Sequence, residues 1–106
     1  MKDTDIAYVA AFLDGEGCLS FSKTRKIYPE VFFCNTDKEV LAYIKGVIGC
    51  GSLYTQSRQA SSKKERYVLT IRRKADIQKT LGMILPYLRI KKQKAIELLE
   101  MIGGKN

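Results

Sequence analysis

At Cys18 the apolar pattern of the chain changes period, and this change limits the available folds more than any other feature of the sequence. Residues 5–14 repeat at about 100° per residue. That spacing puts Ala7, Ala10, Ala11 and Asp14 on one side of a helix and Tyr8, Val9, Phe12 and Leu13 on the other, with Thr4 as the expected N-cap. Gly15 and Gly17 end the helix, as glycine does where the backbone must leave through unusual dihedrals. From Cys18 the period is two: Leu19 and Phe21 alternate with Ser20, Ser22 and Thr24, the pattern of a half-buried strand.

The same switch recurs further along. After the break at Tyr28-Pro29, a second strand runs through Val31, Phe32, Phe33 and Cys34. Phe32 and Phe33 are adjacent, so one of them must leave the core face or a bulge must intervene. Thr36 and Glu39 have capping-box spacing, and Val40, Leu41, Ile44, Val47 and Ile48 form the stripe of a helix stopped by Gly49. Residues 51–58 and 65–73 read as a strand pair around the basic loop 59–64, with Tyr67, Leu69 and Ile71 on one face and Arg66, Val68, Thr70 and Arg72 on the other. A third helix over about 75–85 ends at Pro86, and a fourth over about 91–102 carries Ala95, Ile96, Leu98, Leu99 and Ile102. This order predicts an α+β fold of antiparallel hairpins with helices on one sheet face and the other face open to a partner.

With 106 residues and 45% apolar content, one folded domain over 1–106 is expected. No apolar run reaches membrane-spanning length and the N-terminus lacks the pattern of a secretory signal, so the expectation is a soluble, intracellular protein of cytoplasm, nucleoid or organelle matrix. Three evenly spread cysteines, Cys18, Cys34 and Cys50, suggest neither a disulfide framework nor a zinc cluster. Without any histidine the chain cannot carry a Ser-His-Asp triad, a Cys-His pair or a His metal site. Chemistry is left to carboxylates, lysines and bound water.

A net charge of +8 points to a polyanion as partner. Its distribution is uneven. Lys2 stands against Asp3, Asp5, Asp14 and Glu16 near the start, whereas Arg58, Lys63, Lys64, Arg66, Arg72, Arg73 and Lys74 face only Glu65 between 58 and 74, and Arg89, Lys91, Lys92 and Lys94 make a second cluster. A few acids within a cationic protein suit a metal-dependent phosphate enzyme, because divalent cations take hard oxygen ligands while nucleic acid takes Lys and Arg. Solvated acids at a helix start are the plainer alternative.

The segment Val9-Ala10-Ala11-Phe12-Leu13-Asp14-Gly15-Glu16-Gly17 resembles the nine-residue LAGLIDADG motif of homing endonucleases. Asn35–Leu41, Ile48–Ser52 and Leu85–Lys91 resemble stretches of that family in the same order. The resemblance implies the αββαββα fold with a saddle-shaped antiparallel sheet and a further C-terminal helix. It also implies an intron-encoded, homodimeric, site-specific DNA endonuclease that cuts a long target across the minor groove and leaves 3′ overhangs. The implied cofactor is Mg²⁺, with Mn²⁺ or Ca²⁺ as other divalent occupants, Ca²⁺ without turnover; neither an organic cofactor nor a membrane is implied.

Residue by residue, the resemblance makes Glu16 a metal ligand together with the carbonyl of Gly15, Lys91 a residue near the scissile phosphate, and Asn35 the counterpart of a glutamine in the catalytic network. Asn35 departs from that pattern by one methylene. Asp14 is expected to fix the turn at the helix end rather than to bind metal. The small stripe of Ala7, Ala10 and Ala11, with Asp14, suits close approach of a second copy's helix, which would pair the two Glu16 carboxylates at a dyad and make the target palindromic. Packing of the alanines against the chain's own second helix is the alternative. Lys91, Lys92 and Lys94 crowd a helix start whose dipole disfavours cations, which calls for an anion near Lys91.

The open sheet face is the expected DNA contact, since a two-stranded ribbon fits the major groove. Its candidates are Ser20, Ser22, Thr24, Glu30, Tyr54, Gln56, Arg58, Arg66, Thr70 and Arg72, with Lys23, Arg25, Lys26, Lys63 and Lys64 as backbone contacts near the turns. Two other readings are weighed against the endonuclease. One is a non-catalytic binder on the same scaffold, either an RNA maturase or a DNA-binding regulator; the other is a small basic RNA-binding protein of another fold.

Overall fold

The computed structural model describes residues 2–20, 29–56 and 65–103. Helix α1 (Asp3–Glu16) leads into β1 (Gly17–Ser20). Strand β2 (Glu30–Asn35) is followed by α2 (Lys38–Ile48), then β3 (Ser52–Gln56) and β4 (Arg66–Ile71). Helix α3 (Lys74–Ile84), a 3-10 turn (Leu85–Tyr87) and α4 (Lys92–Gly103) complete the order. Lys23, Arg25, Lys26, Ser22, Thr24, Arg58, Lys63 and Lys64, all expected to contact nucleic acid, lie outside the described residues.

Among the described residues the strands form one antiparallel sheet in the order β1-β2-β4-β3. β1 and β2 pair with Leu19 opposite Val31, β3 and β4 with Leu53 opposite Leu69. The junction of the two pairs is β2 against β4, with Phe33 opposite Leu69. This α+β arrangement, with an open antiparallel sheet, agrees with the sequence expectation.

Leu19, Val31, Phe33, Leu69 and Ile71 point to the helices and are buried, as are Val9, Ala10 and Leu13 of α1, Leu41, Ile44 and Ile48 of α2, Ile77, Leu81 and Ile84 of α3, and Ala95 and Leu98 of α4. The continuous register through β2 means there is no bulge: Phe33 takes the core position and Phe32 turns to the open face. Val68 and Thr70, also on the open face, are buried because β4 is flanked by strands on both sides. Among the described residues, no helix is long and apolar enough to cross a membrane.

Three local expectations need correction. α1 starts before Thr4, with Lys2 at the N-cap, no side-chain cap, and Asp3 and Asp5 in the first turn, where the positive end of the helix dipole favours acids. It also continues through Gly15, so Glu16 is its last helical residue rather than the first beyond it. In α2 the cap is Asp37 and not Thr36: the Asp37 carboxylate accepts from the backbone N–H of Val40 at 3.2 Å. Gly49 does end α2, in the left-handed region at φ 78°.

Candidate catalytic site and open sheet face

Glu16 is exposed at the point where α1 passes into β1. Its Oε1 accepts a hydrogen bond from Asn35 Nδ2 at 2.6 Å. Asn35, the last residue of β2, has its amide oriented from the other side, because its Oδ1 accepts from the backbone N–H of Asp37 at 2.8 Å. The turn that starts α2 therefore holds an amide donor against the Glu16 carboxylate. Asparagine is short enough to make both bonds, so the departure from glutamine becomes a tight link between the β2–α2 junction and the end of α1.

Asp14 serves a different junction. Its Oδ2 accepts from the backbone N–H of Arg89 at 2.7 Å and its Oδ1 from that of Lys91 at 2.9 Å. Partial burial alone pushes its carboxyl up, but the N–H groups of Lys91, Arg89 and Ile90, together with the Lys91 charge, outweigh this and hold it below the usual carboxylate value. Asp14 thus ties the segment before α4 to α1, rather than fixing the turn at its own helix end.

Lys91 returns the contact. Its half-buried side chain donates from Nζ to the carbonyl oxygen of Asp14 at 2.7 Å. That carbonyl belongs to the last turn of α1, where carbonyls lack helical partners and the dipole favours a cation. The anion expected near Lys91 is therefore, in this chain, the negative end of α1. Asn35, Glu16, Asp14 and Lys91 converge on this helix end, Asp14 among them although the sequence reading kept it apart from the other three.

The alanine stripe is divided. Ala10 is fully buried in the chain's own core, which removes it from any surface between copies. The burial follows from packing: α1 lies against the sheet, α2 and α3, so Val9, Ala10 and Leu13 all face inward. Ala7 is half-buried, and Ala11 and Gly15 are exposed, so the outward small stripe is Ala7, Ala11 and Gly15. Asp14 is half-buried and engaged within the chain. Tyr8 borders the stripe, 44% exposed, with its ring edge-on to Tyr43 at 5.5 Å.

The open face of the sheet carries Ser20, Glu30, Tyr54, Gln56, Arg66 and Thr70, and Arg72 follows β4 beside them. Several are already paired. Arg72 Nε donates to Glu30 Oε2 at 2.9 Å, and the hydroxyls of Tyr54 and Thr70 are 3.1 Å apart. The sequence reading missed the middle of this face, where Phe32, Cys34 and Val68 stand together. The Phe32-Phe33 pair and strict alternation through Cys34 were the signals for it. At the sheet end remote from Glu16, a depression of about 460 Å³ is lined by Ser52, Tyr54, Thr70, Arg72, Arg73 and Asp76.

No protein family model matches the sequence, and no curated protein matches it. Solved structures do. The homing endonuclease I-CvuI in complex with its target, in the presence of Ca, superposes with a TM-score of 0.78 at 23% identity over 93% of this chain and 66% of that one. The LAGLIDADG homing endonuclease I-GzeII in complex with its DNA target superposes with a TM-score of 0.72 at 21% identity over 92% of this chain and 34% of that one. The chain has the LAGLIDADG homing endonuclease fold. An archaeal intron-encoded homing endonuclease, I-Vdi141I complexed with DNA, shares that fold with a TM-score of 0.78 at 21% identity over 96% of this chain and 69% of that one. The chain spans just under two thirds of the length of I-CvuI. Within the LAGLIDADG fold, the nine motif residues Val9–Gly17 occupy the second half of α1 and its exit into β1.

Proposed function

We propose that the chain is one subunit of a divalent-metal-dependent, site-specific DNA endonuclease that works as a homodimer on a long, roughly palindromic duplex and leaves 3′ overhangs. The observation that carries this reading is the exposed Glu16 carboxylate, aimed by Asn35, at a helix end beside an open, partly basic sheet. The neighbours of the same fold were solved on DNA targets, which supports duplex DNA as the substrate.

The donor set suits a hard cation only when two copies meet. Among the described residues no three acidic or cysteine side chains gather at one point, and Asp14 is committed to backbone N–H groups. One chain therefore offers the Glu16 carboxylate and the Gly15 carbonyl, which belongs to the unsatisfied last turn of α1. A second copy docked along Ala7, Ala11 and Gly15 would bring its own Glu16 to the dyad, and phosphate oxygens would complete the ligands. Bound there, Mg²⁺ would offset charge on the scissile phosphate and favour ionisation of water. Asn35, bonded to Glu16 Oε1, would keep in place the carboxylate that would hold the ion. The Lys91 ammonium uses one of its donors on Asp14 and keeps others for a phosphate oxygen. Arg66, Arg72, Ser20 and Gln56 present donors to the duplex from the open face.

Incubating the protein with a library of duplexes and Mg²⁺, then sequencing the ends produced, tests the reading. Defined double-strand ends are expected from the wild type and none from Glu16→Gln, which keeps the shape and removes a charge that repels phosphate, so that affinity stays the same or rises. Binding without cutting by the wild type would point to the regulator or maturase instead.

A further inference from the structure

At the centre of the open face lies a hollow of about 170 Å³. Its floor is Phe32, Cys34 and Val68, and Glu30, Tyr54, Gln56 and Thr70 stand around it. The register explains the cluster: Cys34 is directly opposite Val68, Phe32 is opposite Thr70, and Phe32 and Cys34 project from the same side of β2. The floor has no strong hydrogen-bonding group to offer. Burial pushes the Cys34 thiol above its ordinary value, against the opposing charge of Arg66, so the floor is uncharged at neutral pH. On the rim, the Tyr54 and Thr70 hydroxyls satisfy each other and Glu30 is paired with Arg72.

This is an unusual centre for a surface read by base edges. Most major-groove groups are hydrogen-bond donors or acceptors, and pressing such a group onto Phe32 and Val68 would strip its water without replacement. Of the apolar groups, the 5-methyl of thymine projects into the groove far enough to fill a hollow, whereas the C5–H of cytosine does not. We infer that the hollow floored by Phe32, Cys34 and Val68 reads a thymine methyl, making these three residues specificity determinants for one base pair in each half of the target. The inference rests on the reading of the open face as a major-groove interface.

The test starts from duplexes enriched on the wild-type protein from a randomised pool. Each is resynthesised with deoxyuridine in place of thymidine, one position at a time, which deletes a methyl and leaves every donor and acceptor in place. One position per half-site is expected where the deletion weakens binding about fourfold, the effect of one buried carbon. Val68→Thr, of equal size with a hydroxyl on the floor, is expected to bind the thymine and uracil duplexes alike at that position. Cys34→Ser, at a half-buried position, gives the same comparison where circular dichroism shows the first variant unfolded. An enriched duplex in which no uracil matters would overturn the inference and leave the major-groove interface standing. A methyl effect retained in both variants would overturn the assignment to this hollow. Failure to enrich any duplex would overturn the interface itself, and this inference with it.

Discussion

Asn35 and Lys91 show how far a residue's role can be read from its letter. In the linear sequence Asn35 looked like a shortened glutamine, and nothing near it indicated that the Asp37 N–H would orient its amide toward Glu16. Asn35→Ala removes that orientation while leaving the carboxylate in place. Cleavage is expected to fall by about 10- to 100-fold, the usual cost of losing a group that positions a metal ligand. The Mg²⁺ concentration for half-maximal rate should rise and duplex affinity stay within about twofold; a shift in affinity with no change in metal dependence would place Asn35 on the DNA instead. For Lys91, the Nζ contact with the Asp14 carbonyl separates two roles. Lys91→Met keeps the stem and deletes the charge. As a helix-end cation alone, it contributes about 0.3–1 kcal/mol, visible in a urea midpoint, with cleavage by the folded variant unchanged. A role at the phosphate predicts a loss of about 100-fold or more in cleavage by fully folded protein.

At the scale of elements, periodicity was most legible where one face is committed to the core, as with Leu41, Ile44 and Ile48 in α2 and Leu69 and Ile71 in β4, while α3 was marked by Pro86 and β3, with no buried residue, only by its place before the basic loop. The ends were less legible. Thr36 and Asp37 are both good caps, and only the turn geometry set by Asn35 selects Asp37. Nor could local pattern reveal that β2 pairs with β4, which is why burial of Val68 and Thr70 on the open face was not anticipated. Gly17 was expected for its dihedral freedom, yet its φ of −109° is ordinary extended backbone. What it supplies is room: a Cβ there would lie 2.3 Å from Leu13 Cδ1 and 2.9 Å from Leu13 Cα, the second of which cannot swing away. Gly17→Ala is therefore expected to destabilise the fold by about 1–3 kcal/mol, as overpacking does. Equilibrium denaturation measures this; a loss under about 0.5 kcal/mol would mean that α1 and β1 can separate freely at this joint.

For the molecule as a whole, the sequence was legible as a helix-and-hairpin scaffold with one open sheet face, but it did not separate Ala10, buried in the chain's own core, from the rest of the alanine stripe. Period alone put Ala10 with Ala7 and Ala11, because 100° per residue does not say which side of a short stripe the sheet will cover. The sheet, α2 and α3 cover Ala10 and leave Ala11 out. That division makes assembly testable without disturbing the subunit. Ala11→Glu places a charge on an exposed helical position, where substitutions usually change stability by no more than about 0.5 kcal/mol. In a dimer docked through Ala7, Ala11 and Gly15 it would oppose two buried, like charges across the dyad. Sedimentation is expected to show dimeric wild type and monomeric variant at the same concentration, with unchanged circular dichroism and a loss of double-strand cutting, since a single Glu16 cannot complete the metal site. Ala10→Glu is the control: it should unfold the chain. A dimeric Ala11→Glu variant that cuts normally would move the interface elsewhere on the surface and separate the two Glu16 carboxylates, leaving the proposed cation without its ligands.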